Sequence, residues 1–435
     1  MPPPCLTQIG IADINGQWRG KVLPTFNEAK IQSGMRLPVS VIYVDIWGED
    51  ILDNPLVFAT GDADGRLRPT GRGPVPLPWR KTPAMLYPMD MFHEDGTPFA
   101  GDPRNALAGI LQRYAARGWQ VKAATELEFY LLHPETDTLG PAISPRTQKP
   151  ISRPNVNSLA LMDTFEEFFA DLFDGAEQMG IEADAAMSEA GQGQFEVNLV
   201  HTDAMKMADD TLLFKQLVRG MARKHGMAAT FMAKPFEDDA GSGLHMHFSV
   251  LDENGDNVFD DGTDKGSPLL QQAVAGCLQF MADSTLIFAP HANSYDRFVP
   301  GAHAPVGISW AYENRTAAVR IPGGSAKARR IEHRVAGGDI NPYLLMTAVL
   351  GAAICGIDDA ATPPPPMQGN AYEQSLPEIH KNWDDAIDAL AQSSLLPRIM
   401  PQELLEYLVL TKRQEAQKYK QLTDVEKVRL YLENV

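Results

Sequence analysis

Cysteine is scarce in this sequence. The 435 residues include three cysteines, Cys5, Cys277 and Cys355, which lie far apart along the chain. The odd number and the wide spacing exclude a disulfide framework and the clustered thiols of a structural zinc site. Free thiols are typical of proteins in a reducing compartment, so we predict a cytoplasmic location.

Long apolar runs and an excess of basic residues are also missing. The sequence has no apolar stretch of about 18 residues that could span a membrane, and its start, MPPPCLTQIG, lacks the basic and apolar regions of a signal peptide. The net charge of −18 argues against a nucleic-acid partner, because phosphates require a basic surface. We therefore expect a globular protein with no membrane or nucleic-acid partner.

Proline and glycine are abundant in the first hundred residues and divide the chain. That region contains short β-like runs at 38–47 and 83–92, which predict a small β-rich N-terminal domain over residues 1–103. Over residues 104–435, apolar residues recur every three or four positions, which predicts a larger domain with long helices. The predicted helices span residues 164–180, 204–225, 268–288, 342–357 and 401–433.

Four stretches of the larger domain alternate polar and apolar residues, which is the pattern of half-buried strands. They span residues 121–132, 194–200, 244–250 and 329–335. The polar residues that share the faces of these strands are Glu126, Glu128, Glu196, His245, His247, Arg330, Glu332 and Arg334. Each stretch alone is typical of a solvated face or a surface ion pair, so only their convergence would indicate a site.

A site formed by these faces would be rich in oxygen, with imidazole nitrogen and no sulfur. That donor set favours Mg²⁺ or Mn²⁺ over zinc or an iron–sulfur cluster. More than three neighbouring carboxylates indicate two or more ions, because the carboxylates would otherwise repel each other. The interleaved arginines indicate an anionic substrate, so metal-assisted phosphoryl transfer is the reaction class that this set suits. A binuclear metal hydrolase remains an alternative.

Six segments resemble the glutamine synthetase family in order and spacing. They are TELEF (125–129), EAGQGQFEVNL (189–199), GSGLHMHFS (241–249), NSYDRFVPG (293–301), APVGISWAYENRTAAVRIP (304–322) and KARRIEHRV (327–335). The resemblance implies an α+β fold, with a small N-terminal β-grasp-like domain and a large catalytic domain whose curved antiparallel sheet is flanked by helices. It also implies that ATP phosphorylates the γ-carboxylate of L-glutamate and that an amine then displaces the phosphate.

The resemblance further implies a cofactor set, an assembly and roles for individual residues. Two or three Mg²⁺ (or Mn²⁺) ions would bind each site, and the chain would form two stacked hexameric rings in which neighbouring subunits share active sites. One metal site would be Glu128, Glu189 and Glu196, and the other Glu126, His245 and Glu332. Glutamate would be held by Arg297, Arg334 and the backbone of Gly241, and Arg315 would contact the transferring phosphoryl group. The nucleotide would contact His247, Ser249, Arg320, Lys327, Arg330 and Asp184.

Two positions depart from the family members that use ammonia. His303 stands where those members have a glutamate that binds and deprotonates ammonium, and Ala240 replaces an asparagine. An imidazole, whose ordinary pKa is near 6.5, removes a negative charge and can take a proton from a primary ammonium. We therefore expect an alkylamine acceptor, and the small apolar neighbours of His303 favour methylamine. Putrescine, another polyamine and ammonia are the alternatives.

Three further residues have open roles. Asp45, Asp50 or another residue of the N-terminal domain would replace the aspartate that completes the neighbouring site in the family. Tyr372 lies in a loop where some bacterial relatives carry a regulatory tyrosine, and we interpret it as an exposed loop residue. A non-catalytic relative is disfavoured, because all six metal positions are filled.

Overall fold

The computed structural model describes residues 6–24, 27–52, 54–134, 139–299, 301 and 304–435. Its strands are β1 (Leu6–Ala12), β2 (Trp18–Leu23), β3 (Met35–Pro38), β4 (Asp64–Pro69), β5 (Val75–Pro76), β6 (Ala84–Phe92), β7 (Gln120–Leu132), β8 (Ala183–Ser188), β9 (Gln194–Leu199), β10 (Thr202–Asp203), β11 (Ala228–Thr230), β12 (Leu244–Leu251), β13 (Trp310–Tyr312), β14 (Val319–Ile321) and β15 (Ile331–His333). Its helices are α1 (Glu28–Gln32), α2 (Pro55–Thr60), α3 (Pro103–Ala115), α4 (Leu159–Thr164), α5 (Glu166–Gln178), α6 (Ala204–Lys224), α7 (Pro268–Phe280), α8 (Thr285–Phe288), α9 (Pro342–Asp358), α10 (Trp383–Gln392), α11 (Gln402–Tyr419) and α12 (Asp424–Asn434).

The described strands form two sheets. The first has the order β2-β1-β6-β4-β3, with β5 paired to β6. The second has the order β13-β14-β15-β12-β7-β9-β8, with β10 and β11 also paired to β7. The chain enters the second sheet after α3, so the predicted boundary near residue 103 falls between the two sheets and remains a prediction.

The central strand of the second sheet is β7. Its 13 residues alternate in burial along most of their length, which confirms the period-two pattern. The apolar face, which includes Leu127 and Phe129, is fully buried and packs against α3 and α6. The opposite face is therefore free to carry polar side chains.

Helix α9 supplies the innermost layer of the large domain. Every residue from Pro342 to Ile357 is buried, as expected for a helix that is apolar on all sides. It packs closely against α7, because a Cβ atom added at Gly276 would lie 2.1 Å from the carbonyl oxygen of Ala352. Among the described residues, no helix is long and apolar enough to cross a membrane.

Three of the five long helices were predicted with nearly correct bounds, and two were not. The predicted helix 268–288 is interrupted after α7, and the predicted helix 401–433 is interrupted after α11. In the second case, Thr423 forms a capping box with Glu426 that begins α12 anew. The β-like run 38–47 was also wrong, because Val39–Tyr43 forms a 3₁₀-helix.

A buried ion pair links the N-terminal region to the C-terminal helices. The side chains of Lys412 and Glu415 are 1% and 0% exposed, and Lys412 Nζ lies 2.8 Å from Glu415 Oε2. The other carboxylate oxygen of Glu415 accepts hydrogen bonds of 2.8 Å from Asn15 Nδ2 and from the backbone N–H of Ile46. Lys412 also donates to Asn15 Oδ1 at 2.6 Å.

The substitution Glu415→Gln should destabilise the fold by about 3 kcal/mol, because it leaves the buried ammonium of Lys412 without its counter-charge. The measurement is the free energy of unfolding in urea. Asp388→Asn is the matched control, because Asp388 pairs with Arg413 at the surface and should cost less than about 1 kcal/mol. Equal effects of the two substitutions would contradict this role of the buried pair.

Candidate active site

Three neighbouring strands bring together the first group of metal-type ligands. Glu126 on β7 lies opposite His245 on β12, and His247 on β12 lies opposite Glu332 on β15. One ligand atom each from Glu126, His245 and Glu332 lies within 4.8 Å of the others. Oxygen and imidazole donors at this spacing fit a divalent cation such as Mg²⁺ or Mn²⁺.

Hydrogen bonds and neighbouring charges favour the ionised carboxylates and the neutral imidazole, which are the forms that bind a cation. Glu126 contacts His245 Nδ1 at 2.9 Å and His247 Nε2 at 3.0 Å. Burial opposes ionisation of Glu126, but these hydrogen bonds outweigh it and keep its pKa well below the usual range. Burial also opposes ionisation of Glu332, yet Arg334 and its other cationic neighbours lower the pKa of this carboxyl. Burial lowers the pKa of His245, which favours the neutral, ligating imidazole.

A second carboxylate group lies on the other side of β7. Glu128 on β7 is directly opposite Glu196 on β9, and Glu189 follows the end of β8. Burial raises the pKa of Glu128 to about 7 and that of Glu196 to about 9, and repulsion between the carboxylates adds to the effect. Burial and its acidic neighbour also raise the pKa of Glu189. These raised pKa values indicate negative charge that the described side chains do not offset, which fits a second cation.

Two buried arginines border both carboxylate groups. Arg297 and Arg334 are each 3% exposed. Arg334 Nη1 contacts Glu332, whereas its Nε is buried and has no hydrogen-bond acceptor among the described residues. Arg297 Nη2 donates to the carbonyl of Val335 at 2.5 Å. A Cβ added at Gly241 would lie 2.3 Å from Arg297 Cγ, so glycine allows the arginine to lie along this backbone.

A buried carboxylate that the sequence patterns did not reveal, that of Asp339, lies near Arg297. Asp339 is 2% exposed and accepts a hydrogen bond of 2.5 Å from Ser294 Oγ, which belongs to the 3₁₀-helix that carries Arg297. A Cβ added at Gly337 would lie 2.3 Å from Asp339 Oδ1 and 3.0 Å from Arg297 Nη1. Asp339 therefore lies close enough to Arg297 to oppose the lowering of the pKa of this guanidinium by burial.

A cavity of about 560 Å³ adjoins Glu126 and His247. Its lining includes five of the six residues predicted to contact a nucleotide, namely Asp184, His247, Ser249, Lys327 and Arg330. The lining also includes Lys122, Asn198 and His201, which the sequence analysis did not assign to the nucleotide. Lys122 shares the polar face of β7 with Glu126 and could have been found from the alternation, but His201 follows β9 with no pattern to mark it.

Arg320 is the predicted nucleotide residue that does not line this cavity. Its strand register places it opposite Glu332, and Arg320 Nη1 lies 2.7 Å from Glu332 Oε2. The guanidinium therefore faces the metal-type ligands. If Arg320 contacts a nucleotide, it would do so through groups bound at those ligands.

Arg315 is exposed at the tip of a turn that the following loop holds in place. Asn314 Oδ1 accepts from the backbone N–H of Thr316 at 3.0 Å, and Asn314 Nδ2 donates to the carbonyl of Gly369 at 2.7 Å. Arg315 lies close enough to Glu189 to oppose the rise in the pKa of that carboxyl. The same loop carries Tyr372, whose hydroxyl is buried, so the prediction of an exposed tyrosine was wrong.

Two further predictions have different outcomes. His303 lies outside the described residues. Asp45 has a fully buried side chain that pairs with Lys418 at 2.6 Å and accepts hydrogen bonds of 3.0 Å from the backbone N–H groups of Trp47 and Glu49. Asp45 therefore stabilises its own turn, and the exposed Asp50 or another N-terminal residue remains the predicted contributor to a neighbouring site.

Removal of one ligand should weaken metal binding without unfolding the chain. We expect Glu332→Gln to lower the affinity for Mn²⁺ at least about tenfold, measured by isothermal titration calorimetry. Glu313→Gln is the matched control, because Glu313 is largely exposed and lies 3.5 Å from the same Arg320. Unchanged affinity in Glu332→Gln would contradict the assignment of this ligand.

Known proteins share both the sequence and the fold. Residues 100–431 match the catalytic domain of glutamine synthetase. The chain is 36% identical over 435 aligned residues to the γ-glutamylputrescine synthetase PuuA of Escherichia coli (strain K12). That alignment covers 98% of this chain and 91% of PuuA. It is 31% identical over 416 residues to a glutamate–isopropylamine ligase of Pseudomonas sp., covering 92% and 89%.

A solved structure supports the same relationship. "Apo GmaS without ligand" superposes with a TM-score of 0.84 at 28% identity, and the match covers 97% of this chain and 95% of that one. The likeness confirms the predicted α+β fold, with a curved sheet flanked by helices. The chain belongs to the glutamine synthetase family, whose enzymes use ATP to join an amine to the γ-carboxylate of glutamate.

Proposed function

We propose that this protein joins an α,ω-diamine of the putrescine type to the γ-carboxylate of L-glutamate, with γ-glutamyl phosphate as the intermediate. The observation that supports the reaction is the pair of carboxylate groups on either side of β7, bordered by buried arginines and open to a nucleotide-sized cavity. The products would be the γ-glutamylated amine, ADP and phosphate.

Different residues around β7 would bind the metal ions, the glutamate and the transferring phosphoryl group. Bound Mg²⁺ or Mn²⁺, held by Glu126, His245 and Glu332 and by Glu128, Glu189 and Glu196, would supply positive charge for the phosphates. Arg334 offers its unpaired Nε–H to a carboxylate of glutamate, and Arg297 lies beside it. Arg315 offers the cation nearest to Glu189 for the transferring phosphoryl group. This contribution is electrostatic stabilisation, because no side chain forms a covalent bond with the substrate.

The cavity of about 560 Å³ would hold the nucleotide. Lys327 and Arg330 provide positive charge for a polyphosphate, and Asp184 provides a carboxylate for ribose hydroxyls. Arg330 Nε donates to His247 Nδ1 at 3.2 Å, which turns the other nitrogen of this imidazole towards Glu126. Lys122 and His201 on the remaining wall complete the set of groups available to ATP.

The choice of amine rests on the relatives and on the charges near the site. Methylamine, which the sequence favoured through His303, has no support among the relatives described above. The γ-glutamylputrescine synthetase aligns with nearly the whole chain. Asp239 accepts from the backbone N–H of Gln192 at 2.7 Å and so lies beside the Glu189 loop, with exposed Glu237 and Asp238 next to it. These acids could receive the second ammonium of a diamine.

We also propose that the chain works in the cytoplasm as a homo-oligomer of two stacked hexameric rings. In that assembly Asp50, on the exposed turn before α2, would reach the acceptor side of a neighbouring site. The resemblance of the six sequence segments to the family supports this arrangement.

A panel of amines tests the acceptor. With L-glutamate, ATP and Mg²⁺, we expect kcat/KM for putrescine to exceed the values for methylamine, isopropylamine and ammonia at least about tenfold, since added methylenes and a second charge provide binding that the shorter amines lack. A preference for methylamine would overturn the diamine assignment and keep the reaction. No turnover with any amine would overturn the proposed reaction.

Asp339→Asn tests the support of Arg297. The change keeps the shape and removes the charge beside the guanidinium, so we expect KM for glutamate to rise about tenfold while KM for ATP changes less than about twofold. Asp359→Asn, which removes an exposed partner of Arg398, is the matched control. Equal changes in both KM values would indicate a general structural role and contradict the specific one.

A further inference from the structure

A second cavity lies away from the carboxylate groups, on the outer side of α6. Its volume is about 210 Å³, and its lining comes from the turn between β1 and β2, from α6 and from the end of α12. The lining residues with basic side chains are Lys215, Arg219 and Arg223. They are four residues apart on the helix, so they form one continuous basic row.

The positive charge of this row is poorly offset within the described part of the chain. None of the three forms an ion pair with a described residue. Asp339 attracts Lys215, but burial and repulsion from Arg219 lower the pKa of Lys215 to about 7. Burial and repulsion from Arg223 lower the pKa of Arg219 to about 10. In a protein with a net charge of −18, such a concentration of unpaired cations is unexpected.

The cavity also contains hydrogen-bond donors that lack acceptors. Arg219 Nε and the indole Nε1 of Trp18 are buried and have no hydrogen-bond partner among the described residues. Both residues line the cavity, Arg219 from α6 and Trp18 from the first position of β2. Buried donors of this kind almost always have a partner in a folded protein, so their acceptor is expected from a bound group.

The Phe231 ring and a backbone carbonyl hold two of the three cations in position. Lys215 Nζ lies 5.2 Å from the centre of the Phe231 ring, and Arg219 Cζ lies 5.4 Å from the same centre. Lys215 also donates to the carbonyl of Ile340 at 3.2 Å. These contacts hold the side chains of Lys215 and Arg219 in place. Because the cations are already ordered, they lose less side-chain entropy when an anion binds.

We propose that this cavity is a binding site for a small oxyanion, of the phosphate or carboxylate type, that is separate from the catalytic site. The anion would accept from Arg219 and from the Trp18 indole and would lie against the ammonium of Lys215. The volume admits a single small ion and excludes a nucleotide, which distinguishes this site from the cavity of about 560 Å³.

The test is the binding of inorganic phosphate and of succinate, measured by calorimetry on the full chain with Mg²⁺ and saturating ADP to occupy the catalytic site. Chloride at equal ionic strength is the reference. We expect one of the two anions to bind in excess of chloride, and Arg219→Gln to weaken that binding about tenfold or more, since it removes a charged donor. Preference between phosphate and succinate identifies the anion type.

Two further variants test whether Arg219→Gln weakens anion binding directly or only through a general change in charge. Arg223→Gln changes the exposed end of the row and should weaken binding less than Arg219→Gln. Arg413→Gln, at an exposed helical arginine paired with Asp388 at 3.0 Å, should leave binding unchanged. Equal affinity in the wild type and Arg219→Gln, or no binding beyond that of chloride, would overturn the proposal.

Discussion

Repulsion among buried carboxylates is the constraint on which the rest of this structure depends. Glu128 on β7 lies directly opposite Glu196 on β9. Glu126 precedes Glu128 by two residues on β7, so it is the next side chain on the same face. Carboxylates at this spacing cannot all be ionised without nearby positive charge. The chain itself supplies part of that charge through His245, His247 and the arginines around Glu332. Bound cations, as we propose, would supply the remainder, and such a site would suit phosphoryl transfer.

The scaffold keeps these charges at fixed distances. One face of β7 packs into the apolar core and the other presents the ligands, so each glutamate points into the site because its neighbours in sequence are buried. Glycines then allow close approach where Arg297 crosses the backbone, at Gly241 and Gly337. Asp339 offsets part of the charge of the buried Arg297, and in the proposed reaction this guanidinium would bind glutamate.

The period-two alternation was enough to predict four strands of the second sheet, β7, β9, β12 and β15, and the polar faces that carry five of the six metal-type ligands. It could not predict the interruptions after α7 and α11, because apolar spacing continues through both and only local capping ends the helices. Asp339 and His201 carry no periodic signal, since their roles arise from contacts between distant parts of the chain. The role of Glu189 came from resemblance to the family, because it follows a strand end where alternation has stopped. His303 remains a prediction.

The proposed reaction requires that an oxygen of the glutamate γ-carboxylate attacks the terminal phosphate of ATP. The most direct measurement uses L-glutamate labelled with ¹⁸O in the γ-carboxylate, together with ATP, Mg²⁺ and the preferred amine, and follows the label by mass spectrometry. When the amine displaces the acyl phosphate, the bridging oxygen leaves with the phosphate. We therefore expect one ¹⁸O atom in each phosphate released, and unlabelled phosphate formed in step with the amide would contradict this reaction.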